Sequence, residues 1–383
     1  MAVGLGVQHS LDVQGLDQLI KLLALDGFTV VGPRVSEQVI TYGEISGTDD
    51  LPAGWTDNQQ PGRYRLDKRD DEALFGYAVG PHSWKKYLFP SKLTLWSASR
   101  SEDGSLNVSQ PDAEPPTYAF LGVRGCEMAA IQVQDRVFAS ERYGDADYRA
   151  RRESAFIIAV NCGTAAETCF CPSMSTGPRV KSGFDISLTE LLDEDSPRYV
   201  VEIGSERGQS LIDRLGLGQA SVEEIQASED VTRQTEESIT RKIDTDGIKE
   251  ILYSSRESSR WDEIASRCLS CANCTMVCPT CFCHSVSETS DLQMTEFEHT
   301  REWDSCFSMD FTYAAGGVAR DTTSSRYRQW MTHKLGSWID QFGTSGCVGC
   351  GRCIAWCPVG IDITEEAGAF RLDSAAAAKG GSS

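Results

Sequence analysis

The apolar residues near the start of the chain repeat with the period of an α-helix. Within LDVQGLDQLIKLLALDGF, Gly27 is a suitable place for this helix to stop. The predicted apolar face consists of Leu16, Ile20, Leu23 and Leu25. Two shorter apolar runs, at 28–32 and 38–42, are typical of strands, and the polar stretch 101–116 predicts a loop.

Strand-like and helix-like runs alternate in the middle of the chain. TYAFLGV at 117–123, AFIIAV at 155–160 and RYVVEIG at 198–204 are short apolar runs of the kind found in buried strands. Residues 127–138 and 209–216 have the pattern of helices. Because strands alternate with helices, we expect an α/β layer with some parallel strand pairing.

The charge of the chain narrows the classes of partner. The formal net charge is −20, which disfavours binding to nucleic acid or to an anionic membrane surface.

No stretch of the sequence approaches the roughly 18 apolar residues that a transmembrane helix needs. The start, MAVGLGVQHSLD, lacks the basic and apolar regions of a secretory signal, so we expect a cytoplasmic protein.

The cysteines are the most informative residues. None precedes Cys126, four lie from Cys126 to Cys171, and eleven lie from Cys268 to Cys357. Their number, fifteen, is odd, and a cytoplasmic chain carries few disulfides. The thiols are therefore either buried and inert or ligands of a metal.

Two stretches, at 268–279 and 347–358, repeat the pattern C-x2-C-x2-C-x3-C-P. This is the spacing of bacterial [4Fe–4S] ferredoxins, in which the fourth cysteine of each run serves the other cluster. The first cluster is predicted on Cys268, Cys271, Cys274 and Cys357. The second cluster is predicted on Cys347, Cys350, Cys353 and Cys278. Structural zinc is the alternative, but it has no use for the third cysteine of each run or for the trailing proline.

A further set of cysteines lies near predicted strand ends. One cysteine follows the strand at 117–123, and three follow the strand at 155–160. Because the carboxyl ends of strands in one α/β layer lie at the same edge, these thiols can approach each other. They either hold a third [4Fe–4S] cluster or are buried free thiols. The four residues are Cys126, Cys162, Cys169 and Cys171.

Three cysteines remain, Cys281, Cys283 and Cys306. They either bind a metal, with His284 or His299 completing the site, or pack as free thiols beside the clusters. The insert between the two cluster runs also contains RYRQWMTHK at 326–334. This segment is either a docking face for another subunit or a packed helix under the clusters.

These patterns predict an N-terminal α/β domain followed by a mostly helical, ferredoxin-like dicluster domain. The predicted division is 1–218 for the α/β domain with its extra cysteine site, 219–260 for a helical acidic connector, 261–371 for the dicluster domain with its insert, and 372–383 for a disordered tail. Because all eight thiolates of the two runs would be ligands, no iron is left open for a substrate. We therefore expect an electron relay without a catalytic site of its own.

Several ordered segments carry a resemblance to a known family. They are GPHSWKKYLFP at 80–90, GVRGCEMAAIQVQDRVF at 122–138, NCGTAAETCFCPSMSTGP at 161–178 and the two cluster runs with their flanks. In these segments the chain resembles the iron–sulfur β subunit of cytosolic NAD(P)-linked [NiFe] hydrogenases, also called sulfhydrogenases. It also resembles the related A subunit of anaerobic sulfite reductase. Glu127 departs from the Asp that the family often has after this cysteine.

The resemblance implies a heteromeric oxidoreductase complex. A partner chain would carry FAD and a [2Fe–2S] centre and would meet NAD(P)H. This chain would relay electrons through its [4Fe–4S] clusters to the small and large [NiFe] hydrogenase subunits. The same relay in an anaerobic sulfite or polysulfide reductase is one alternative. A free-standing ferredoxin-like carrier is another, although a carrier needs no large α/β domain.

Overall fold

The computed structural model describes residues 7–110, 115–192 and 196–380 of the 383-residue chain. The strands in these parts are β1 His9–Asp12, β2 Thr29–Ser36, β3 Val39–Glu44, β4 Trp55–Gln60, β5 Arg63–Lys68, β6 Lys92–Arg100, β7 Leu106–Ser109, β8 Tyr118–Val123, β9 Phe156–Val160, β10 Ile186–Leu192, β11 Pro197–Ile203, β12 His284–Ser290, β13 Glu296–Trp303, β14 Tyr313–Ala314 and β15 Gly317–Val318. The helices are α1 Val13–Leu25, α2 Lys85–Leu88, α3 Gly125–Phe138, α4 Ala146–Ser154, α5 Glu206–Leu215, α6 Val222–Ser238, α7 Ile248–Ser254, α8 Arg260–Arg267, α9 Asn273–Met276, α10 Thr323–Thr332, α11 Trp338–Phe342, α12 Arg352–Ala355 and α13 Ile363–Gly380.

The N-terminal half is built on a seven-stranded sheet in the order β1-β11-β10-β9-β8-β2-β3. The four strands β10, β9, β8 and β2 pair in parallel, whereas the outer pairs are antiparallel. Helices α1 and α5 contribute to the apolar core on one face of the sheet, and α3 and α4 contribute to the core on the other. All five residues of β9 are buried. The α/β layer with parallel pairing is thus present as the alternating sequence pattern predicts.

Helix α1 shows how the apolar period specifies one face. Its buried leucines and isoleucine are Leu16, Leu19, Ile20 and Leu23. Leu25, which the sequence pattern places on this face, is 81% exposed, and Leu19 takes its role. The Asp12 side chain caps the helix by accepting a hydrogen bond of 2.7 Å from the Gly15 amide. The helix ends just before Gly27, whose φ of +88° suits a glycine.

A second sheet has four strands in the order β12-β13-β6-β7. Strands β12 and β13 come from the insert between the cysteine runs, whereas β6 and β7 come from the N-terminal half. The region 261–371 therefore contains strands as well as helices. Its hairpin pairs with β6, so this sheet joins strands from both sides of the predicted domain boundary. Strand β7 lies inside the stretch 101–116 predicted as a loop, of which 111–114 lie outside the described residues.

The cysteine-rich part has its own apolar core. It includes Trp261 of α8, Tyr327 and Trp330 of α10, and Phe370 of α13. Segment 326–334 thus contributes a packed helix beneath the cysteine runs. Helix α13 continues to Gly380 where the sequence predicts a disordered tail, and 381–383 lie outside the described residues. Across the described ranges, none of the helices has the length and apolar character needed to span a bilayer.

Candidate metal centres

The two cysteine runs fold into the same local shape. Equivalent positions in each run have a positive φ, namely Ser270 (51°) and Ala272 (64°) in the first run and Gly349 (66°) and Gly351 (74°) in the second. A short helix follows in each case, α9 or α12, and it carries the third cysteine. The residues with positive φ curl the backbone into a tight loop. Such a loop allows several thiols to face one small bound group.

The first predicted set of thiols lines one cavity. Its cysteines include Cys268, Cys271, Cys274 and Cys357, and it encloses about 420 Å³ of empty space including open solvent. Burial, and then the charges of the neighbouring thiols, raise the pKa of Cys274. Backbone amides donate to two of the sulfurs, Ser270 to Cys268 at 3.4 Å and Ile361 to Cys357 at 3.3 Å. Such donors stabilise a thiolate and tune a bound cluster.

The second predicted set lines a neighbouring cavity of about 340 Å³ of empty space. Its cysteines are Cys278, Cys347, Cys350 and Cys353. The buried side chains of Lys334 and Arg352 line the same cavity. Burial raises the pKa of Cys347 to about 12. Four thiols with buried cations beside them suit an anionic iron–sulfur cluster, whose binding requires the thiols to lose their protons.

Among the described ranges, no three or more His, Cys, Asp or Glu side chains are arranged to hold a single metal ion. The thiols instead stand around the walls of the two spaces.

The third predicted set also comes together in the structure. Cys126 lies in the first turn of α3, Cys162 and Cys169 lie in the loop after β9, and Cys171 begins the 3-10 turn that follows. The charges of Cys162 and Cys169 act on the thiol of Cys171, and the charge of Cys350 acts on it as well. Burial raises the pKa of Cys169 to about 12. The third set therefore lies against the second set at Cys350.

A buried cation accompanies the third set. Arg124 is fully buried, and its positive charge partly offsets the burial that raises the pKa of the Cys162 thiol. Its guanidinium donates to the carbonyls of Phe75 at 2.8 Å and Tyr77 at 3.1 Å. Its Nε is buried without a hydrogen-bond partner among the described residues. An unpartnered cationic nitrogen on a side chain whose charge acts on Cys162 fits a site for an anionic group.

The loops of the second and third sets pack without room for a side chain. The Phe170 amide donates to the Gly349 carbonyl at 2.8 Å, and the Thr176 hydroxyl donates to the Val348 carbonyl at 2.6 Å. A Cβ on Gly351 would lie 2.3 Å from the carbonyl oxygen of Thr168. Glycine at this position therefore allows the close approach of the two loops.

Replacing Gly351 by alanine is expected to destabilise the protein by about 2 kcal/mol or more, because left-handed strain and overpacking add. Anaerobic urea unfolding measures the change. Ala272→Gly is the matched control, since Ala272 occupies the equivalent position of the first run. We expect that variant to stay within about 1 kcal/mol of the parent. Equal effects of the two changes would contradict the role assigned to this contact.

A buried ion pair joins the same two regions. Glu127, next to Cys126, pairs with Arg352, which lies between Cys350 and Cys353. Both side chains are almost completely buried. Glu127 also accepts from the Tyr42 hydroxyl at 2.8 Å and from the indole of Trp84 at 3.0 Å.

Arg352 completes this network with backbone acceptors. It donates to the carbonyls of Gly80 and His82, each at 2.8 Å. Each charge of the pair thus has several partners besides the other, as a buried ion pair requires.

The last three cysteines form a group of their own. A side-chain hydrogen bond with Cys306 lowers the pKa of the Cys283 thiol, and one with Cys278 of the second set raises the pKa of the Cys281 thiol. His284, offered by the sequence as a further ligand, places its Nδ1 3.1 Å from the Phe282 carbonyl. The other histidine, at 299, stacks on Trp96 with ring centres 4.8 Å apart. In the described residues these two rings therefore contact a backbone carbonyl and an indole ring.

Sequence reasoning missed the charged residues around the thiols. They are Lys85, Arg124, Glu127, Lys334 and Arg352. The available signal was weak: a charged residue in an apolar setting, such as the first lysine of SWKKYLF or the glutamate after Cys126. Burial of such residues demands a partner, but the partner itself is set by long-range contacts.

Comparison with known proteins identifies the family. The family model described as a 4Fe-4S dicluster domain matches residues 267–361, which contain both cysteine runs. Sulfhydrogenase 2 subunit beta of Pyrococcus furiosus is 32% identical over 281 residues, covering 73% of this chain and 79% of the relative. No solved structure matches the chain. The chain therefore belongs to the family of sulfhydrogenase β subunits and contains a [4Fe–4S] dicluster domain.

Proposed function

We propose that the chain is the electron-transfer subunit of an NAD(P)-linked [NiFe] hydrogenase complex. The observation that carries this proposal is the 32% identity to a sulfhydrogenase β subunit over most of both chains. The proposed ligands are Cys268, Cys271, Cys274 and Cys357 for one [4Fe–4S] cluster, Cys347, Cys350, Cys353 and Cys278 for a second, and Cys126, Cys162, Cys169 and Cys171 for a third. Bound clusters of this kind supply one-electron transfer.

The proposed relay is supported by the electrostatic coupling between the thiol sets. The charges of Cys278 and Cys274 both act on Cys353, which links the first set to the second. The charge of Cys350 acts on Cys126 and Cys171, which links the second set to the third. The three sets thus follow one another without a long gap, an arrangement suited to stepwise transfer.

The protein's own contribution is to hold and tune the sites. Apolar side chains such as Trp330 and Ile361 line the first cavity and limit the access of water. Amide donors to Cys268 and Cys357 favour the reduced, more negative form of a cluster and raise its potential. Arg352 and Lys334 act in the same direction at the second set by placing positive charge beside it.

One end of the proposed relay reaches the surface. Cys271 is exposed, and the neighbouring Leu269 has 63% of its surface exposed. A partner subunit would thus exchange electrons most directly with the first set. The proposed partners are a chain with FAD and a [2Fe–2S] centre on one side and the [NiFe] small and large subunits on the other. The same relay in a sulfite or polysulfide reductase differs only in the terminal subunit.

The native complex, isolated without oxygen through a tag on this chain, tests the proposal. We expect stoichiometric nickel together with flavin and iron–sulfur absorption. A sirohaem spectrum without nickel would replace the hydrogenase by the sulfite reductase. Iron and sulfide on a lone chain of 42.0 kDa would overturn the subunit proposal in favour of a free carrier.

A further inference from the structure

Helix α10 carries buried hydrogen-bond donors that have no acceptor. The hydroxyl of Tyr327 and the indole nitrogen of Trp330 are buried, and neither has a hydrogen-bond partner among the described residues. Tyr327 is 3% exposed and Trp330 is 4% exposed, so bulk solvent does not serve these groups. Because a buried donor without an acceptor costs free energy, such groups in folded proteins are nearly always paired. The two donors therefore require an acceptor from outside the described part of the chain.

Both residues line the first cavity. They stand three positions apart in α10, a spacing that places their side chains on one face of the helix. This face borders the space surrounded by the thiols of Cys268, Cys274 and Cys357. The missing acceptor thus belongs in the cavity where the first cluster is proposed.

The Tyr327 hydroxyl keeps its proton in this environment. Burial raises the pKa of the hydroxyl well above its ordinary value, and the negative charges of Cys274, Glu366 and Cys353 raise the pKa further. The proton is therefore available for a hydrogen bond to an acceptor in the cavity.

Trp330 forms part of a wall that the two cavities share. It lines the first cavity together with Phe307 and the second cavity together with Lys334. Cys353 is likewise common to both cavities. An indole N–H is a donor only, so it gains nothing from another donor nearby. Trp330 therefore lies at the boundary of the two proposed clusters with its one polar group unpaired.

A third unpartnered donor precedes these residues in the helix. Arg326 is 6% exposed, and its Nε has no partner in the parts of the chain that the structure describes. Its terminal nitrogens lie 3.5 Å from the hydroxyl of Ser270 and 3.4 Å from the carbonyl oxygen of Arg320, and both acceptors are neutral. Ser270 stands between Cys268 and Cys271. Because a guanidinium remains charged when buried, an anionic group at the first set would compensate it.

We propose that Tyr327 and Trp330 donate hydrogen bonds to sulfur atoms of the [4Fe–4S] clusters at the first and second sets and thereby raise their reduction potentials. The sulfide and thiolate sulfurs of a cluster are anionic acceptors, which are what these donors lack. Arg326 adds positive charge beside the first set. Each donor favours the reduced, more negative form of a cluster. The inference rests on the clusters of the proposed function and gives the insert between the cysteine runs a role in setting their potentials.

An EPR-monitored redox titration of the complex, purified without oxygen through a tag on this chain, tests the proposal. Tyr327→Phe removes the hydroxyl and keeps the ring. We expect one reduction step to move to lower potential, with the ratio of reduced to oxidised cluster at a fixed potential falling about fivefold, as for one hydrogen bond of ordinary net strength. Trp330→Phe is expected to lower a potential as well. Iron content should stay at the parent value in both variants.

Two buried aromatic residues with paired donors provide matched controls. The indole of Trp261, in the same apolar core as Trp330, donates to the Ser255 carbonyl at 2.8 Å. The hydroxyl of Tyr148 donates to Asp135 at 2.8 Å. Trp261→Phe and Tyr148→Phe are expected to leave every potential at the parent value. Shifts as large in these controls would contradict the proposal, because they would show that any loss of a buried donor moves the potentials.

Iron analysis separates this inference from the function on which it rests. A parent complex whose tagged chain holds no iron would overturn the proposed clusters themselves. Potentials that stay unchanged in both Tyr327→Phe and Trp330→Phe, at the iron content of the parent, would overturn only the role of the two donors.

A crystal structure of the parent complex, grown without oxygen, covers the case in which a variant does not fold. We expect the Tyr327 hydroxyl and the Trp330 indole nitrogen to lie within hydrogen-bond distance of cluster sulfur. Donors paired with protein carbonyls or with water instead would overturn the proposal.

Discussion

Replacing Cys350 by alanine is expected to remove the second cluster and to stop electron transfer through the chain. Cys350 lines the second cavity, and its charge also acts on thiols of the third set. Loss of a ligand should lower the metal affinity by more than the about 10–100-fold that follows removal of an outer-shell partner. Iron content and hydrogen-dependent NAD(P)⁺ reduction of the anaerobically purified complex measure the effect. The flavin reaction with artificial acceptors should persist.

Val348→Ala is a suitable control for this variant. Val348 is buried in the same loop, between Cys347 and Gly349, and its loss leaves every thiol in place. We expect iron content and electron transfer to stay near the parent values. Hydrogen-linked reduction at the full rate in Cys350→Ala would show that electrons do not pass through the second set.

Replacing Glu127 by leucine is expected to destabilise the folded chain by about 3–5 kcal/mol, because Arg352 would remain buried without its partner. The pair is almost fully buried, so solvent would not offset the lost charge. Anaerobic urea unfolding, followed by circular dichroism, gives the free energy of unfolding. When Arg352→Leu is added, neither charge stays buried without a partner. The double variant should therefore lose less free energy of unfolding than the two single variants lose together.

A surface pair provides the comparison for this result. Lys92 and Glu302 lie 3.0 Å apart with about half or more of each side chain exposed. We expect Lys92→Ala to leave the unfolding midpoint unchanged, as is usual for exposed ion pairs. A loss in Glu127→Leu no greater than in Lys92→Ala would mean that the buried pair does not hold the two regions together.

Local patterns predicted the central strands but not all of the sheet. Strands β8 and β9 are continuous apolar runs, and both occur where the pattern places them. Strand β10 was missed because Ser187 and Thr189 interrupt its apolar residues. Both are buried, and their hydroxyls bond Glu202 at 3.1 Å and Asn161 at 2.9 Å. Buried polar residues with distant partners leave no periodic signal.

The same limit applies to the candidate site. Cysteine spacing is a local property, so the grouping of thiols within each run follows from the sequence. Glu127 and Arg352 are 225 positions apart, and Lys85 and Cys281 are 196 apart. Contacts of that range depend on the completed fold, and a single sequence gives no period or motif for them. The charges that surround the thiols were therefore found only in three dimensions.

The hairpin β12–β13 has a consequence for how the chain is made. Its strand β13 pairs with β6, as in Phe297 with Ala98, so one side of β6 stays open until the ribosome has released the insert. A fragment ending at the predicted boundary near 218 would keep that open edge permanently and would tend to associate with other copies. Closure of the sheet also brings Cys283 and Cys306 together, so this pair of thiols forms only after β13 has been translated.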